Sequence, residues 1–235
     1  MCAHVKRLAA PRKWAIPRKT EIWVTRTMPG PHAFDSSLPL LVVVRDKLGL
    51  CDTAAEARYI IGQRKILVDG KVVTNYKHPV GLMDVVSIEG MKDNYRVLLD
   101  KRGKLKLVSI TKEEAAWKLV RIHNKTTVKG GAIQLNLHDG RNIILKKNQY
   151  KSGDVLKIEL GTQKILGVYP FEKGNIAMLI GGSHVGELAA INELKITKST
   201  MPNVVSFEDF STTHEHVFVV GTKTPEVSLP EEEAI

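Results

Sequence analysis

Residues 37–88 combine two short amphipathic segments with a tight turn, and this limits the fold more than any other stretch of the chain. Ser36 or Ser37 precedes an apolar run in which Leu40, Leu41, Val44 and Leu48 share one helical face, and Gly49 ends it. A helix is therefore expected over Leu38–Leu48. Thr53-Ala54-Ala55-Glu56 has the spacing of a capping box, in which the threonine oxygen accepts from the N3 amide and the glutamate reaches back to the cap. It predicts a second helix to about Gln63, with Ala57, Ile60 and Ile61 inward. Ile66-Leu67-Val68 and Lys71-Val72-Val73 flank Asp69-Gly70, which supplies the positive φ values of a two-residue hairpin turn. Asp84–Ile88 follows as a strand.

Beyond residue 94 the pattern is mostly β. Strands are expected over Tyr95–Leu99 and Leu105–Ile110, around a cationic turn. Thr111-Lys112-Glu113-Glu114 is a second capping box and predicts a short helix through Leu119. Ala132–His138 and Arg141–Leu145 flank Asp139-Gly140, another hairpin, and Asp154–Leu160 alternates. Further strands fall at residues 176–180, 187–191, 204–207 and 217–220. With 235 residues there is enough chain for two or three small domains with cores of their own, and the class is α+β, multidomain.

The net charge of +10 is unevenly spread. Residues 1–36 carry seven cations and two acids, 37–100 nine and eight, 101–170 fifteen and five, and 171–235 four and ten. An excess of cations favours a polyanionic partner. In the first segment, Lys6, Arg7, Arg12, Lys13, Arg18, Lys19 and Arg26 are interleaved with Pro11, Pro17, Pro29, Pro31, Trp14 and Trp23. Prolines at this spacing suppress helix, so the segment reads as an extended basic arm that does not fold alone and orders on a polyanionic partner. Cys2 and Cys51 form no CxxC pair or disulfide framework, which points to a reducing compartment. The longest apolar run, Leu38–Val44, is too short to span a bilayer, and the N-terminus has no apolar core of a signal peptide. No membrane partner or secretion is expected, and Asn124-Lys125-Thr126 reads as a chance sequon.

Candidate contacts to a polyanion, nucleic acid or an anionic membrane surface, follow from the cations. In the arm they are Lys6, Arg7, Arg12, Lys13, Arg18 and Lys19, together with Trp14. The helix pair and hairpin offer Arg45, Lys47, Arg58, Arg64, Lys65, Lys71 and Lys77. The central β region offers Arg102, Lys104, Lys106, Arg141, Lys146 and Lys147. Guanidinium forks match phosphate bidentately, and a basic ridge reads RNA shape and backbone more than sequence.

Several motifs carry a resemblance. Leu38-Pro39-Leu40, Ala54-x-Glu56-Ala57-Arg58, Ile66-x-Val68-Asp69-Gly70-Lys71-Val72 and Gly81-x-Met83-Asp84-Val85-Val86 resemble the RNA-binding domain shared by bacterial ribosomal protein S-four, tyrosyl-tRNA synthetases and several pseudouridine synthases. With Lys6-Arg7-Leu8-Ala9-Ala10-Pro11-x-x-Trp14, Gly30-Pro31-His32, Phe171-x-x-Gly174-Asn175, Val219-Val220-Gly221 and Ser228-Leu229-Pro230, the whole chain resembles the small-subunit ribosomal protein S-four-e family of archaea and eukaryotes. The resemblance implies a structural, non-catalytic protein of the cytoplasmic ribosome. Its partners would be small-subunit ribosomal RNA and neighbouring ribosomal proteins, with no cofactor, metal or small-molecule substrate. It implies five parts: an arm (1–36), a helix-pair RNA-binding domain (37–100), a central β-rich domain (101–170), a small five-stranded barrel with a KOW motif (171–225) and an acidic tail (226–235). In the KOW segment, Glu187 stands where the family usually has a cation and Ala189 where it has glycine, which shifts this unit towards a protein-facing role.

Other motifs read as structure. Gly181-x-x-x-x-Gly186 has P-loop spacing, but Glu187-Leu188 follows where lysine and a hydroxyl residue must reach phosphate and magnesium. His214-Glu215-His216 reads as a strand edge, and His138-Asp139-Gly140 as a turn. The rival functions are an RNA-modifying enzyme of pseudouridine-synthase type and a KOW-bearing transcription elongation factor. The first needs a catalytic carboxylate in residues 101–170, where every acid is accounted for by a helix start, turn or strand edge. The second leaves the arm and helix pair unexplained.

Overall fold

The computed structural model describes residues 4–91 and 93–228; the acidic run Glu231–Glu233 lies outside them. The first surprise is the arm. β1 (His4–Lys6) and β2 (Trp23–Thr25) pair antiparallel, with Val5 opposite Val24 and Lys6 opposite Trp23. Between them the prolines do exclude α-helix, yet the chain folds back on the domain instead of extending from it. Its free carbonyls are taken by side chains: Arg18 donates to Ala10 (2.7 Å) and Pro11 (2.9 Å), Arg7 donates to Pro17, and Lys47 donates to Ala15 (3.1 Å). Trp14 is only 1% exposed and packs edge-on to Phe34 in the main core.

β3 (Ser37–Pro39) precedes α1 (Leu40–Val42), which widens into a π turn over Val43–Lys47. The expected helix therefore starts two residues late. Proline disfavours helical backbone in the residue before it, so Leu38 stays extended. α2 (Ala54–Gly62) carries the expected capping box, with the Glu56 amide donating to Thr53 Oγ1 at 3.2 Å and the Glu56 carboxylate accepting from the Thr53 amide. β4 (Ile66–Val68) and β5 (Lys71–Val72) flank Asp69 (φ +52°) and Gly70 (φ +73°), as the turn requires. β6 (Pro79–Gly81) pairs with β3, and β7 (Val85–Ile88), β8 (Asn94–Leu99) and β9 (Leu105–Ile110) complete a five-stranded sheet ordered β5-β4-β7-β8-β9. The β8–β9 hairpin thus crosses the expected division at residue 100, and β9 continues the sheet of the helix-pair unit.

The second capping box also forms, but it opens only one 3-10 turn, Glu114–Ala116. The chain then enters β10 (Trp117–Thr127) where helix was expected through Leu119. Alternation wins over the cap: Lys118, Val120 and Ile122 face one side of a strand that pairs on both edges. Its neighbours are β11 (Ile133–Leu137), β12 (Asn142–Leu145), β13 (Val155–Glu159) and β14 (Ile165–Tyr169), in the order β12-β11-β10-β13-β14. This sheet has its own core of Val120, Ile122, Leu135, Leu137, Leu156 and Ile158.

The C-terminal unit has six strands. β15 (Ile176–Leu179), β16 (Leu188–Ala190) and β20 (Val217–Gly221) form one three-stranded sheet, and β17 (Glu193–Lys195), β18 (Val204–Ser206) and β19 (Ser211–Thr213) form another. His214–His216 is a 3-10 turn, not a strand edge. The His214 ring fills the space above Gly153 and the His216 ring that above Gly181, so each imidazole packs on its own glycine. Among the described residues no helix is long and apolar enough to cross a membrane.

One buried ion cluster joins these parts. Lys118, from the central sheet, is fully buried, and its ammonium lies 2.8 Å from Asp69, 2.5 Å from Asp84 and 3.0 Å from Asp139. Arg141 adds contacts to Asp69 (2.7 Å) and Asp139 (3.3 Å), and His32 Nε2 lies 2.9 Å from the Asp84 carboxylate. Asp84 also accepts from the Gly81 amide at 2.8 Å, while the His32 ring occupies the space a Gly81 side chain would need. Burial alone would lower the Lys118 pKa, but the three carboxylates outweigh it and hold the pKa above the ordinary lysine range. Burial likewise opposes ionisation of Asp84, and Lys118 with His32 reverses that, leaving Asp84 well below the usual carboxylate range.

Removing one partner of a buried ion cluster is costly because the others lose their compensation. Lys118→Met is expected to cost about 3–5 kcal/mol at neutral pH. In wild type, the depressed Asp84 pKa gives stability that is present above the unfolded carboxylate value and lost as pH falls through the folded value. In the variant the clustered carboxylates have raised pKa values, so the folded state binds more protons than the unfolded and stability increases as pH falls from 7 to 5. Urea titrations of both proteins check this: between pH 7 and 5 the variant should gain stability, whereas the Asp84 contribution in wild type is already complete there and falls only below the ordinary carboxylate pKa.

Candidate nucleic-acid interface

The expected RNA-contacting residues fall into three groups. Arg7 and Trp14 are buried, and neither presents a surface to a partner. Arg7 also pairs with Glu21 at 3.3 Å. The folded arm uses both inward: its core needs the Trp14 indole, and the Pro17 carbonyl takes the Arg7 guanidinium. Arg18 and Arg141 are half-buried and occupied internally, the first by arm carbonyls and the second by Asp69 and Asp139. Arg45 is held by its neighbour Asp46 at 2.8 Å.

The second group is exposed. It comprises Lys6, Arg12 and Lys19 in the arm, Arg58, Arg64 and Lys65 on α2 and its exit, Lys71 at the hairpin, Arg102 in the β8–β9 turn, and Lys146 and Lys147 after β12. The capping box fixes where α2 starts, and the inward Ala57 and Ile61 fix its rotation, which leaves Arg58 outside. Arg64 leaves the helix at φ +63°. Arg58 and Lys77 both lie over the Tyr76 ring, at 4.8 and 5.4 Å from its centroid, so a tyrosine gathers cations from two elements. Tyr59, 70% exposed, sits beside Arg58 in the sequence and was not singled out from it.

The third group shows convergence. The Lys47 ammonium is half-buried, and its pKa is lowered by burial and by the charges of Lys106 and Lys104. The Leu105 amide donates to the Lys13 carbonyl at 2.9 Å, which anchors the arm to β9 beside these lysines. Lys106 has only a distant carboxylate, Asp100 at 3.9 Å. Lys47 of the π turn therefore lies near Lys104 and Lys106 at the start of β9, with the arm backbone at Lys13 alongside, a grouping no local sequence pattern reveals.

The glycines of the third unit serve protein packing. Gly186 (φ +81°) is buried, and a side chain there would sit 2.6 Å from the Asp100 backbone. The loop with P-loop spacing thus docks onto the β8–β9 turn. Exposed Glu187 binds His184 at 3.0 Å. His138 offers no acid/base chemistry either. Burial, then the charge of Lys118, pushes its pKa to about 3, and its Nδ1 accepts the Arg121 amide at 3.1 Å.

Comparison with known proteins assigns this arrangement. Residues 2–35 match the RS4NT (NUC023) domain, 38–86 the S4 domain and 91–165 the Ribosomal family S4e. The chain is 47% identical over 97% of its length to the small ribosomal subunit protein eS4 of Methanothermobacter thermautotrophicus, covering 96% of that protein. The chain belongs to the ribosomal S4e family. The eS4 protein of Methanocaldococcus jannaschii is 46% identical, with 96% of this chain and 97% of that one covered. The crystal structure of the 30S ribosomal protein S4e from Thermoplasma acidophilum matches with a TM-score of 0.72 and 38% identity, over 80% of this chain and 96% of that one.

Because the arm is held by Trp14 and by side chain–carbonyl bonds, it is expected to be ordered without RNA. Backbone relaxation of the free protein is expected to show residues 5–27 nearly as rigid as the central sheet, with order parameters near 0.85. Values below about 0.6 across the segment would restore the disordered arm.

Proposed function

We propose that the exposed and converging cations form the ribosomal-RNA surface of a structural constituent of the small ribosomal subunit. The chain is a ribosomal protein and not an enzyme; similarity running nearly end to end with small-subunit ribosomal proteins carries that conclusion. The same full-length similarity replaces both rivals, the pseudouridine-synthase type and the transcription elongation factor. Within this reading the protein works with the ribosome in the cytoplasm.

Within this reading, Arg58, Arg64, Lys65 and Lys71 grip backbone from the S4 domain. Lys13, Lys104 and Lys106, with Lys47 beside them, take phosphate, since an anion offsets the Lys106 and Lys104 repulsion that adds to burial in lowering the Lys47 pKa. Lys6, Arg12, Lys19, Lys77, Arg102, Lys146 and Lys147 extend the charged track. We assign the KOW role of the family to residues 171–225. Its acidic balance and the docking of its glycine loop onto Asp100 and Lys101 favour neighbouring ribosomal proteins as its contacts.

Replacing Arg58 and Arg64 together by alanine is expected to weaken small-subunit RNA binding and to flatten the salt dependence by about two counterions. Folding stability should fall by under about 1 kcal/mol per site, since only the Tyr76 contact of Arg58 is lost. Filter binding from 50 to 400 mM salt, with parallel urea unfolding, measures both. An unchanged salt slope would remove these two arginines from the interface.

A further inference from the structure

The folded arm buries one tryptophan and presents another. β1 and β2 form a two-stranded ribbon whose register puts Lys6 directly opposite Trp23 and His4 opposite Thr25. Side chains two apart on a strand share a face, so His4, Lys6, Trp23 and Thr25 all lie on one side of the ribbon, with Val24 on the other. Val24 is 4% exposed and faces the core, whereas Trp23 is 50% exposed and faces out. The His4 ring packs T-shaped against Trp23 with centroids 4.6 Å apart, and the Lys6 ammonium stands 5.8 Å from the indole centroid. Leu8 and Ile22, 70% and 71% exposed, adjoin it in the sequence. An indole braced by an imidazole and left half open to solvent gains nothing for folding from its exposed surface.

We propose that Trp23 is a stacking platform for one unpaired RNA base, with Lys6 holding the adjoining phosphate. This rests on the ribosomal-RNA reading above and adds to it the kind of nucleotide recognised. Charge complementarity selects RNA as the occupant. Residues 4–26 hold seven cations against the single carboxylate of Glu21, and that carboxylate is paired with Arg7. An aromatic face beside free ammonium groups is the pairing that single strands use, because every base has a π-face and every linkage a charge. Duplex RNA hides its bases, so the platform distinguishes unpaired from paired RNA.

The test uses the full chain with single-stranded RNA oligonucleotides and with a fully paired duplex of equal length. Of the other two tryptophans, Trp14 is buried, and Trp117 is enclosed between Arg96 (4.4 Å) and Lys157 (4.1 Å), so Trp23 dominates any change of indole fluorescence on stacking. Single strands are expected to quench wild-type fluorescence and duplex to leave it nearly unchanged. Trp23→Ala should lose the quenching and bind single strands on the order of tenfold more weakly. Trp23→Phe, which keeps the fold and a smaller ring, should retain most of the affinity without the quenching. Equal single-strand affinity for wild type, Trp23→Ala and Trp23→Phe would overturn the platform, as would quenching that persists in Trp23→Phe. Loss of affinity with Lys6→Ala but not with Trp23→Ala would also overturn it, by showing a purely ionic surface such as an acidic protein would use. A wild-type protein that binds neither RNA would instead overturn the ribosomal-RNA reading itself.

Discussion

The buried ammonium of Lys118 is the contact on which the arrangement of the units depends. Its three carboxylates come from the β4–β5 turn, from the loop before β7 and from the β11–β12 turn, so a single side chain bonds the S4 domain and the central sheet together. Through Asp84 it reaches His32, and so fixes the end of the arm as well. Low dielectric makes each of these contacts strong when the set is complete and expensive when one member is missing. That asymmetry gives the joint its specificity: a different docking angle would leave a charge buried without its counter-ion. The Asp69-Gly70 and Asp139-Gly140 turns therefore have two tasks, reversing the chain and supplying the cluster.

This joint also determines which cations remain for RNA. Arg141 lies in the most basic segment, yet it is committed to Asp69 and Asp139. Arg7 and Arg18 are committed to the arm. What faces outward is a smaller set; Lys104 and Lys106 stand near Lys47, whose ammonium is itself held by the Ala15 carbonyl. Net charge described the partner class correctly and the individual contacts poorly, because it counts internal and external cations alike.

Much of the fold was legible in local chemistry. The Thr53–Glu56 box and the Asp69-Gly70 turn are physical rules confined to a few adjacent residues, and both formed as read. The same kind of rule failed at Thr111–Glu114, where the box closed but the helix did not continue. There the downstream residues belonged to a strand bonded on both edges, and those long-range bonds outweigh one cap. The arm failed for a related reason. Proline content argues against helix, but it does not argue against packing, and Trp14 with Ile16 and Val24 supplies enough apolar surface to dock against a domain already present.

The sequence by itself determined the partner class, the S4-type domain and the positions of its turns, because capping, turn formation and charge excess act over a few residues. Only the tertiary structure decided which tryptophan is core and which is exposed, since Trp14 lies in the segment between β1 and β2 that packs into the core, whereas Trp23 sits on the outward face of β2. It alone paired Lys118 with Asp69, Asp84 and Asp139, which stand 49, 34 and 21 residues away. Contacts at those separations leave no periodic trace in a single sequence; they exist only once two sheets have met and the charges between them must be balanced.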